Sequence, residues 1–239
     1  MLIVALPGNV AGRGGAVALS RDSSADMEGC SLRDNKAVAT QGGTSSSDGG
    51  AVLVLDSKLL LRSCSVAGNT ATGRGGAVHA TGQSAVSLVH CSMVGNSAGQ
   101  GGAVAATASS QLVANGSQFS ANVATVGDGG AVLSEGNSTV RAQECLFQGN
   151  SANPFQGRGG AFFARMKSRN STTLLDCSFL RNSAAVAGGL YWHYLPFSDI
   201  LLLPRNCTFL ENVPSDRGEP RERGRRAERA GGLEGTKAG

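Results

Sequence analysis

The chain has few aromatic residues, little charge and only six prolines. Of its 239 residues, 5% are aromatic, 16% are charged, 41% are hydrophobic and 35 are Gly. The low charge and the many Ala, Val and Leu residues argue against intrinsic disorder, and the shortage of aromatics argues against an ordinary aromatic-filled core. The stretch 195–203 is interrupted by Pro196, Ser198 and Asp199, so we expect no transmembrane segment. A formal charge of +4 is too small to predict a nucleic-acid partner.

Two short motifs alternate along the chain, and such a repeat decides the fold class. The first is Gly-Gly-Ala-Val or a variant, at 14–17, 49–52, 75–78, 101–104, 129–132, 159–162 and 188–191. The second runs from Cys to Asn and begins at Cys30, Cys64, Cys91, Ser117, Cys145, Cys177 and Cys207. It ends at Asn35, Asn69, Asn96, Asn122, Asn150, Asn182 and Asn212. The chain therefore contains seven nearly complete units.

Each unit shows the alternation of half-buried strands. Leu59 and Leu61 lie five and three residues before a Cys, and Val86 and Leu88 do the same in the next unit. A small or polar residue directly before the Cys breaks the alternation and marks a bend. We therefore predict three short strands and three bends in each unit.

A unit of this size cannot bury its apolar face alone, so successive units must stack. Helical repeats are disfavoured, because no apolar stripe of helical period is sustained and every block opens with Gly-Gly. The sequence predicts an all-β, single-stranded parallel β-helix of about seven coils over residues 1–213, with coils about 4.8 Å apart. Residues 214–239 are rich in Arg, Glu and Gly, and we expect them to form a disordered tail.

The two motifs together resemble the Gly-Gly-Ala-(Val/Ile/Leu) and Phe-x-x-Asn repeats of the polymorphic outer membrane proteins of chlamydiae. The segments 119–122, 147–150, 179–182 and 209–212 match the second motif in full, while Leu32, Val66 and Met93 replace its Phe in earlier units. The resemblance implies a right-handed β-helix of the pectin-lyase-like type, presented at a cell surface and often adhesive. The chain departs from that family because its C-terminal part has no amphipathic barrel segments.

In-register stacking would place like side chains of successive coils above one another. The six cysteines would then form one column, whose parallel Cβ atoms, about 4.8 Å apart, are too distant for the Cβ spacing of a disulfide. We expect buried free thiols and no metal site, since zinc needs a tetrahedron of ligands. The Asn side chains tolerate left-handed backbone, and their amides can bond to neighbouring coils. Both columns are interpreted as structural ladders.

Carboxylates on one outer face of neighbouring coils would indicate an enzyme that acts on polysaccharides. The best such cluster in the sequence is Glu144 and Asp176, which occupy the bend before the Cys in adjacent units. At a separation of about 5 Å they could share a proton or bind calcium, or they could be two solvated bend residues, the interpretation that we favour. Asp48 and Asp128 precede Gly-Gly where other units have Arg or Gln, and we interpret that column as variable turn chemistry.

Residues 191–194 are the one concentration of aromatic side chains. Trp192 is predicted to face outward in a column with His79 and Phe163. Trp192 and Tyr194 could then stack on a sugar ring, although packing beneath a loop is the alternative. No nucleophile triad, phosphate-binding loop or metal-ligand spacing is visible, so we predict no cofactor.

The start of the chain indicates a fragment. Residues 2–6 are too short for a signal-peptide core, and residues 7–15 parallel 67–76, so we expect the chain to begin inside a coil of a longer array. Acceptor sequences at Asn115, Asn137, Asn170 and Asn206 slightly favour an extracellular setting. The leading hypothesis is a non-catalytic extracellular or cell-surface domain for adhesion, carbohydrate or protein binding, or surface structure. The alternative is a polysaccharide lyase or glycoside hydrolase. The sequence leaves the ligand and the oligomeric state open.

Overall fold

The computed structural model describes residues 5–39, 47–166, 171–194, 201–214 and 233–237. The side chains of 166, 194, 201–203 and 233–237 lie outside the described set. Within these ranges the chain contains strands and no helix, and each strand pairs in parallel with the equivalent strands one turn before or after it. This arrangement confirms the predicted parallel β-helix of about seven coils.

The strands form four sheets that run along the helix axis. Sheet A contains Val17–Leu19, Val52–Leu55, Val78–Thr81, Val104–Ala106, Val132–Ser134, Phe162–Met166, Leu190–Tyr194 and Leu233–Lys237. Sheet B contains Ser24–Glu28, Lys58–Arg62, Ala85–Val89, Gln111–Asn115, Thr139–Gln143, Ser171–Leu175 and Leu201–Arg205. Sheet C contains Ala5–Pro7, Ser31–Arg33, Ser65–Ala67, Ser92–Val94, Gln118–Ser120, Leu146–Gln148, Ser178–Leu180 and Thr208–Leu210. Sheet D contains Val10–Ala11, Lys36–Ala37, Thr70–Ala71, Ser97–Ala98 and Val123–Ala124, and single bridges through Ser151 extend it to Ser183–Ala184 and Val213–Pro214.

A complete coil therefore has four strands, not the predicted three. The missed strand is the two-residue element of sheet D, such as Thr70–Ala71, which follows the Asn of the second motif. Two residues are too few to show an alternation of period 2, so the sequence pattern could not reveal this strand.

Left-handed backbone makes the corners. The first Gly of the Gly-Gly pair has positive φ in six coils, for example 65° at Gly75. The second Gly is needed for a different reason: a Cβ on Gly76 would collide with the carbonyl oxygen of Gly102 in the next coil. A Gly-Gly corner thus combines a left-handed turn with close stacking of backbone on backbone.

The interior is a continuous apolar core lined by rows of equivalent residues. Val52, Val78, Val104 and Val132 lie above one another, and Leu59 and Leu61 are buried as the alternation predicts. The Phe residues of the second motif stack face to face, with ring centroids 4.8 Å apart for Phe119 and Phe147 and 4.7 Å apart for Phe147 and Phe179. Dispersion and hydrophobic burial therefore run uninterrupted along the axis.

The Asn column forms a hydrogen-bonded ladder in this core. Asn122 Nδ2 donates to Asn150 Oδ1 at 2.9 Å and to the Met93 carbonyl at 2.9 Å, while Asn122 Oδ1 accepts from the backbone N and Nδ2 of Asn96, each at 3.0 Å. The same pattern repeats from Asn35 to Asn182, and Asn9 adds a rung at the start. Each fully buried amide thus satisfies backbone groups that the strands cannot reach.

The six thiols are free and lie in the column that the motif defines. Cys64 Sγ donates to the carbonyl of Arg62 at 3.3 Å and accepts from the backbone N of Cys30 at 3.4 Å. Burial raises the pKa of Cys64 to about 11. Ser117 takes the Cys position in one coil, where its hydroxyl accepts from the Cys91 amide at 3.1 Å. The column thus combines small buried side chains with weak capping of backbone groups.

Two short strands are described at the end of the chain. Val213–Pro214 belongs to sheet D, and Leu233–Lys237 pairs in parallel with Leu190–Tyr194 of sheet A. The disordered tail at 214–239 stays a prediction. The rest of the predicted tail, 215–232 and 238–239, lies outside the described residues.

Candidate ligand-binding groove on sheet A

The carboxylates singled out from the sequence, Glu144 and Asp176, are exposed bend residues. Each has a left-handed backbone with φ of 52°. Glu144 Oε1 accepts from Gln143 Nε2 at 3.2 Å, and Asp176 Oδ1 accepts from Asn206 Nδ2 at 2.5 Å. Both residues thus lie at bends, and their interpretation as solvated bend residues stays a prediction.

The predicted outward position of Trp192 is wrong. Leu190, not Tyr191, pairs with Phe162, so the last block is shifted by one residue and Trp192 follows Ala164 in the inward-facing row. Trp192 is half-buried and packs against the main core. Tyr191 takes the outward position instead, and the side chain of Tyr194 lies outside the described set. The shift arises because Ala187 adopts the left-handed corner conformation, with φ of 53°, that Gly has in the other coils.

The outer face of sheet A carries a cluster of polar side chains. One outward row contains Leu53, His79, Ala105, Leu133, Phe163 and Tyr191. A second row, two residues further along each strand, contains Leu55, Thr81, Thr107, Glu135, Arg165 and His193. A third row precedes the Gly-Gly corner and contains Arg13, Asp48, Arg74, Gln100, Asp128 and Arg158. These rows border a groove of about 460 Å³ whose lining extends from Arg13 to Arg165.

Asp48, His79 and Thr107 form a chain of polar groups across three consecutive coils of the groove. His79 Nε2 lies 3.0 Å from Thr107 Oγ1, and His79 Nδ1 lies 3.5 Å from Asp48 Oδ2. The next coil holds the Asp48 carboxylate, because its Oδ1 accepts from the Arg74 backbone amide at 2.7 Å. The three residues are 7%, 4% and 5% exposed, so the chain is shielded from bulk water although it lines the groove.

Glu135 joins two arginines on the other side of the groove. Its Oε2 lies 3.4 Å from Arg74 Nη2 and its Oε1 lies 3.4 Å from Arg165 Nη1. The Glu135 side chain is 13% exposed, whereas each guanidinium side chain is 41% exposed. The carboxylate thus fixes two partly exposed cations.

A buried aromatic cluster supports the C-terminal end of the groove. Phe163 and Tyr191 stack with centroids 5.7 Å apart, and the Arg158 guanidinium lies 4.9 Å from the Phe163 centroid. Arg158 in turn pairs with Asp128, with Nη2 and Oδ2 2.7 Å apart, and this hydrogen bond raises the pKa of Arg158. Asp128 therefore fixes the guanidinium of Arg158 in the next coil, and Asp48 binds the backbone amide of Arg74.

The groove has a signal in the sequence, but no repeated residue marks it. A charged residue stands directly before Gly-Gly in five units. Polar residues also occur five or seven positions after it, as His79 and Thr81 do after Arg74. These rows change chemistry from coil to coil, so no repeated residue marked them as one surface. Among the described residues no group of three or more His, Cys, Asp and Glu side chains is placed to hold a metal ion. Those residues also include no helix with the length and hydrophobicity needed to cross a membrane.

The sequence model of the family described as "Right handed beta helix region" matches residues 14–194, about three quarters of the chain. No curated protein and no solved structure matches the chain significantly. The family match agrees with the stacked parallel sheets and gives their handedness, so the chain belongs to the right-handed β-helix family.

Proposed function

We propose that the chain is a β-helix domain of an extracellular or cell-surface protein that binds carbohydrate along the sheet A groove. The observation that carries this proposal is the groove's length: its lining comes from six consecutive coils, from Arg13 in the first to Arg165 in the sixth. At about 4.8 Å per coil the first and sixth coils are roughly 24 Å apart. A site of that length suits an extended polymer better than a compact small molecule.

The chemistry of the groove fits sugars. Guanidinium groups, carboxylates, an imidazole and threonine hydroxyls offer hydrogen-bond donors and acceptors on one face, as a chain of hydroxyl groups requires. Arg13, Arg74 and Arg165 face Asp48 and Glu135, so the lining has one net positive charge when His79 is neutral. We therefore favour neutral or mildly acidic glycans as ligands.

The sequence motifs support the extracellular setting and the adhesive role. The pairing of Gly-Gly-Ala-Val with Phe-x-x-Asn resembles the repeats of chlamydial polymorphic outer membrane proteins, and the four glycosylation acceptor sequences point the same way. We propose an adhesin-like β-helix on these grounds.

Binding to a panel of polysaccharides, followed by calorimetric titration of the strongest ligand, tests this function. Arg165→Gln removes a groove cation and should weaken binding about tenfold or more, the usual size of a lost charged hydrogen bond. Arg33→Gln, at an exposed position of sheet C, is the matched control and should leave the affinity unchanged. Equal losses in both variants, or no glycan bound by the wild type, would overturn the proposal.

One observation favours cleavage of the bound polysaccharide as a second candidate function. Glu135 lies on the outer face of sheet A between Arg74 and Arg165, so the groove holds a carboxylate beside basic side chains, the groups that acid–base cleavage of a polysaccharide uses. Release of reducing or unsaturated sugars by the wild type, abolished in Glu135→Gln, would establish this alternative. Under the binding function alone, no such products form.

A further inference from the structure

We propose that Asp48, His79 and Thr107 form an ester-hydrolysing site in the groove, with Thr107 as nucleophile, His79 as general base and Asp48 as the carboxylate that orients the imidazole. The Thr107 hydroxyl is within hydrogen-bond distance of His79 Nε2, at 3.0 Å. This distance is the relation that activates a hydroxyl nucleophile, and a carboxylate beyond the base completes the arrangement.

The buried imidazole of His79 gives the strongest support for this site. Its Nδ1 is buried, makes no hydrogen bond and faces Asp48 Oδ2 at 3.5 Å. A proton on Nδ1 would point at the carboxylate and leave the lone pair of Nε2 for the Thr107 hydroxyl, the tautomer that a base in a triad needs. The gap of 3.5 Å exceeds a hydrogen bond, but such contacts often shorten only when substrate is bound. The Asp48 carboxylate is already fixed by the Arg74 amide.

Thr107 stands directly before the corner that joins sheet A to sheet B. It follows the strand Val104–Ala106, and the next two residues, Ala108 and Ser109, are left-handed with φ of 52° and 70°. In hydrolases that carry the nucleophile at the end of a strand, the amide of the following residue stabilises the oxyanion. Among the described residues the Ala108 amide donates no hydrogen bond, and Ala108 lines the groove. We assign it the role of oxyanion donor.

The reaction balances with water as the only co-reactant. Thr107 Oγ1 forms a bond to the acyl carbon while its proton passes to His79 Nε2. The bond from the acyl carbon to the alcohol oxygen then breaks, and the leaving alcohol takes that proton. Water attacks acyl-Thr107 with His79 again as base, which releases the carboxylic acid and restores the hydroxyl. The net positive charge of the groove lining favours the oxyanion of both steps.

The substrate class follows from where the site lies. A short acyl ester on a sugar hydroxyl would present its carbonyl to Thr107 while the sugar chain occupies the groove. This assignment of the alcohol rests on the proposed carbohydrate function, whereas the nucleophile and its base do not. We therefore expect hydrolysis of O-acetyl groups on a bound glycan, and also slow hydrolysis of a small ester such as p-nitrophenyl acetate.

Hydrolysis of p-nitrophenyl acetate by the full chain tests the roles separately. Thr107→Val and His79→Gln should lower the rate about 100-fold or more, the typical contribution of a nucleophile or general base. Thr107→Ser keeps a hydroxyl and should retain activity, which separates lost chemistry from lost folding. Thr125→Val and His90→Gln remove the same groups at exposed positions outside the groove, so they should leave the rate unchanged.

Covalent labelling identifies the nucleophile. A fluorophosphonate should lose fluoride and modify Thr107 in the wild type, seen by peptide mass spectrometry, and should fail to do so in His79→Gln. Label on another residue, no label, or a wild-type rate equal to that of Thr107→Val would overturn the inference. Acetylated xylan bound without acetate release refutes the ester-hydrolysing site and leaves the binding function intact. Labelled Thr107 without any polysaccharide bound refutes the binding function instead.

Discussion

The interior of the β-helix and the outer face of sheet A are built on opposite rules. Inside, the rows keep one chemistry along the axis: apolar side chains stack on apolar ones, as in valine on valine and phenylalanine on phenylalanine, and asparagine stacks on asparagine in the ladder. On the outer face of the same strands, the rows change from His79 to Ala105 and from Thr107 to Glu135 between neighbouring coils. Repetition satisfies the packing and hydrogen-bonding needs that all coils share. Variation creates a local site, because neighbouring coils contribute different functional groups to it.

Substitutions in the interior should therefore lower stability, whereas substitutions in the groove should lower ligand binding. The largest effect should come from the Asn ladder. Asn122→Ala removes four buried hydrogen bonds, to the Met93 carbonyl, to Asn150 Oδ1 and from the backbone N and Nδ2 of Asn96, and it leaves the two Asn96 donors without this acceptor. At 1–3 kcal/mol for each unsatisfied donor and roughly 0.5–1.5 kcal/mol for each of the other two lost bonds, the free energy of unfolding should fall by about 5 kcal/mol. Urea denaturation measures it, with exposed Gln118→Ala as the control, and equal effects of the two would contradict the ladder's role.

The Phe stack should give the next largest effect. Phe147 packs between Phe119 and Phe179 and is 1% exposed, so Phe147→Ala opens a cavity and should cost about 4 kcal/mol. Phe155 is 60% exposed, and Phe155→Ala should change stability by less than about 0.5 kcal/mol. Thermal and urea denaturation of both variants check this pair. A similar cost at the two positions would mean that the stack is not part of a packed interior.

Alkaline pH should weaken the folded state through the buried thiols. Burial raises the pKa of Cys64 from its ordinary 9.0 to about 11. Above pH 9 the thiol ionises readily in the unfolded chain but not in the folded one, so stability is fully present below pH 9 and is lost as pH rises towards 11, by about 2 kcal/mol. Cys64→Ser, which copies the Ser117 of a neighbouring coil, removes this titration. The stability of the wild type should therefore fall more steeply than that of the variant between pH 9 and 11, and parallel curves would refute the shift.

The smallest effect should come from the exposed bend carboxylates. The double variant Glu144→Gln, Asp176→Asn keeps side-chain size and, at Asp176, a residue that tolerates left-handed backbone. Stability should change by less than about 0.5 kcal/mol, and glycan affinity and ester hydrolysis should not change. Loss of glycan binding or ester hydrolysis in this variant would show that the site lies at the bend and not in the groove.

The contrast between repetition and variation also explains what the sequence could predict. The Cys, Asn and Gly-Gly rows recur in nearly every coil, so they revealed the parallel β-helix, the number of coils and the register up to Phe162. The last block was misaligned because Gly188-Gly189 imitates the corner that Ala187-Gly188 forms. The groove escaped notice because His79 and Thr107 become neighbours only through stacking, and neither belongs to a repeated column.

Mapping of the ligand contact by NMR tests the central claim, that function lies on the varied outer face of sheet A. The isotope-labelled chain would be titrated with an oligosaccharide of the glycan that it binds, and amide shifts would be followed residue by residue. We predict the largest shifts at Thr81, Thr107 and Glu135, which line the groove. Largest shifts at Glu144 and Asp176, with the groove amides unmoved, would contradict the account.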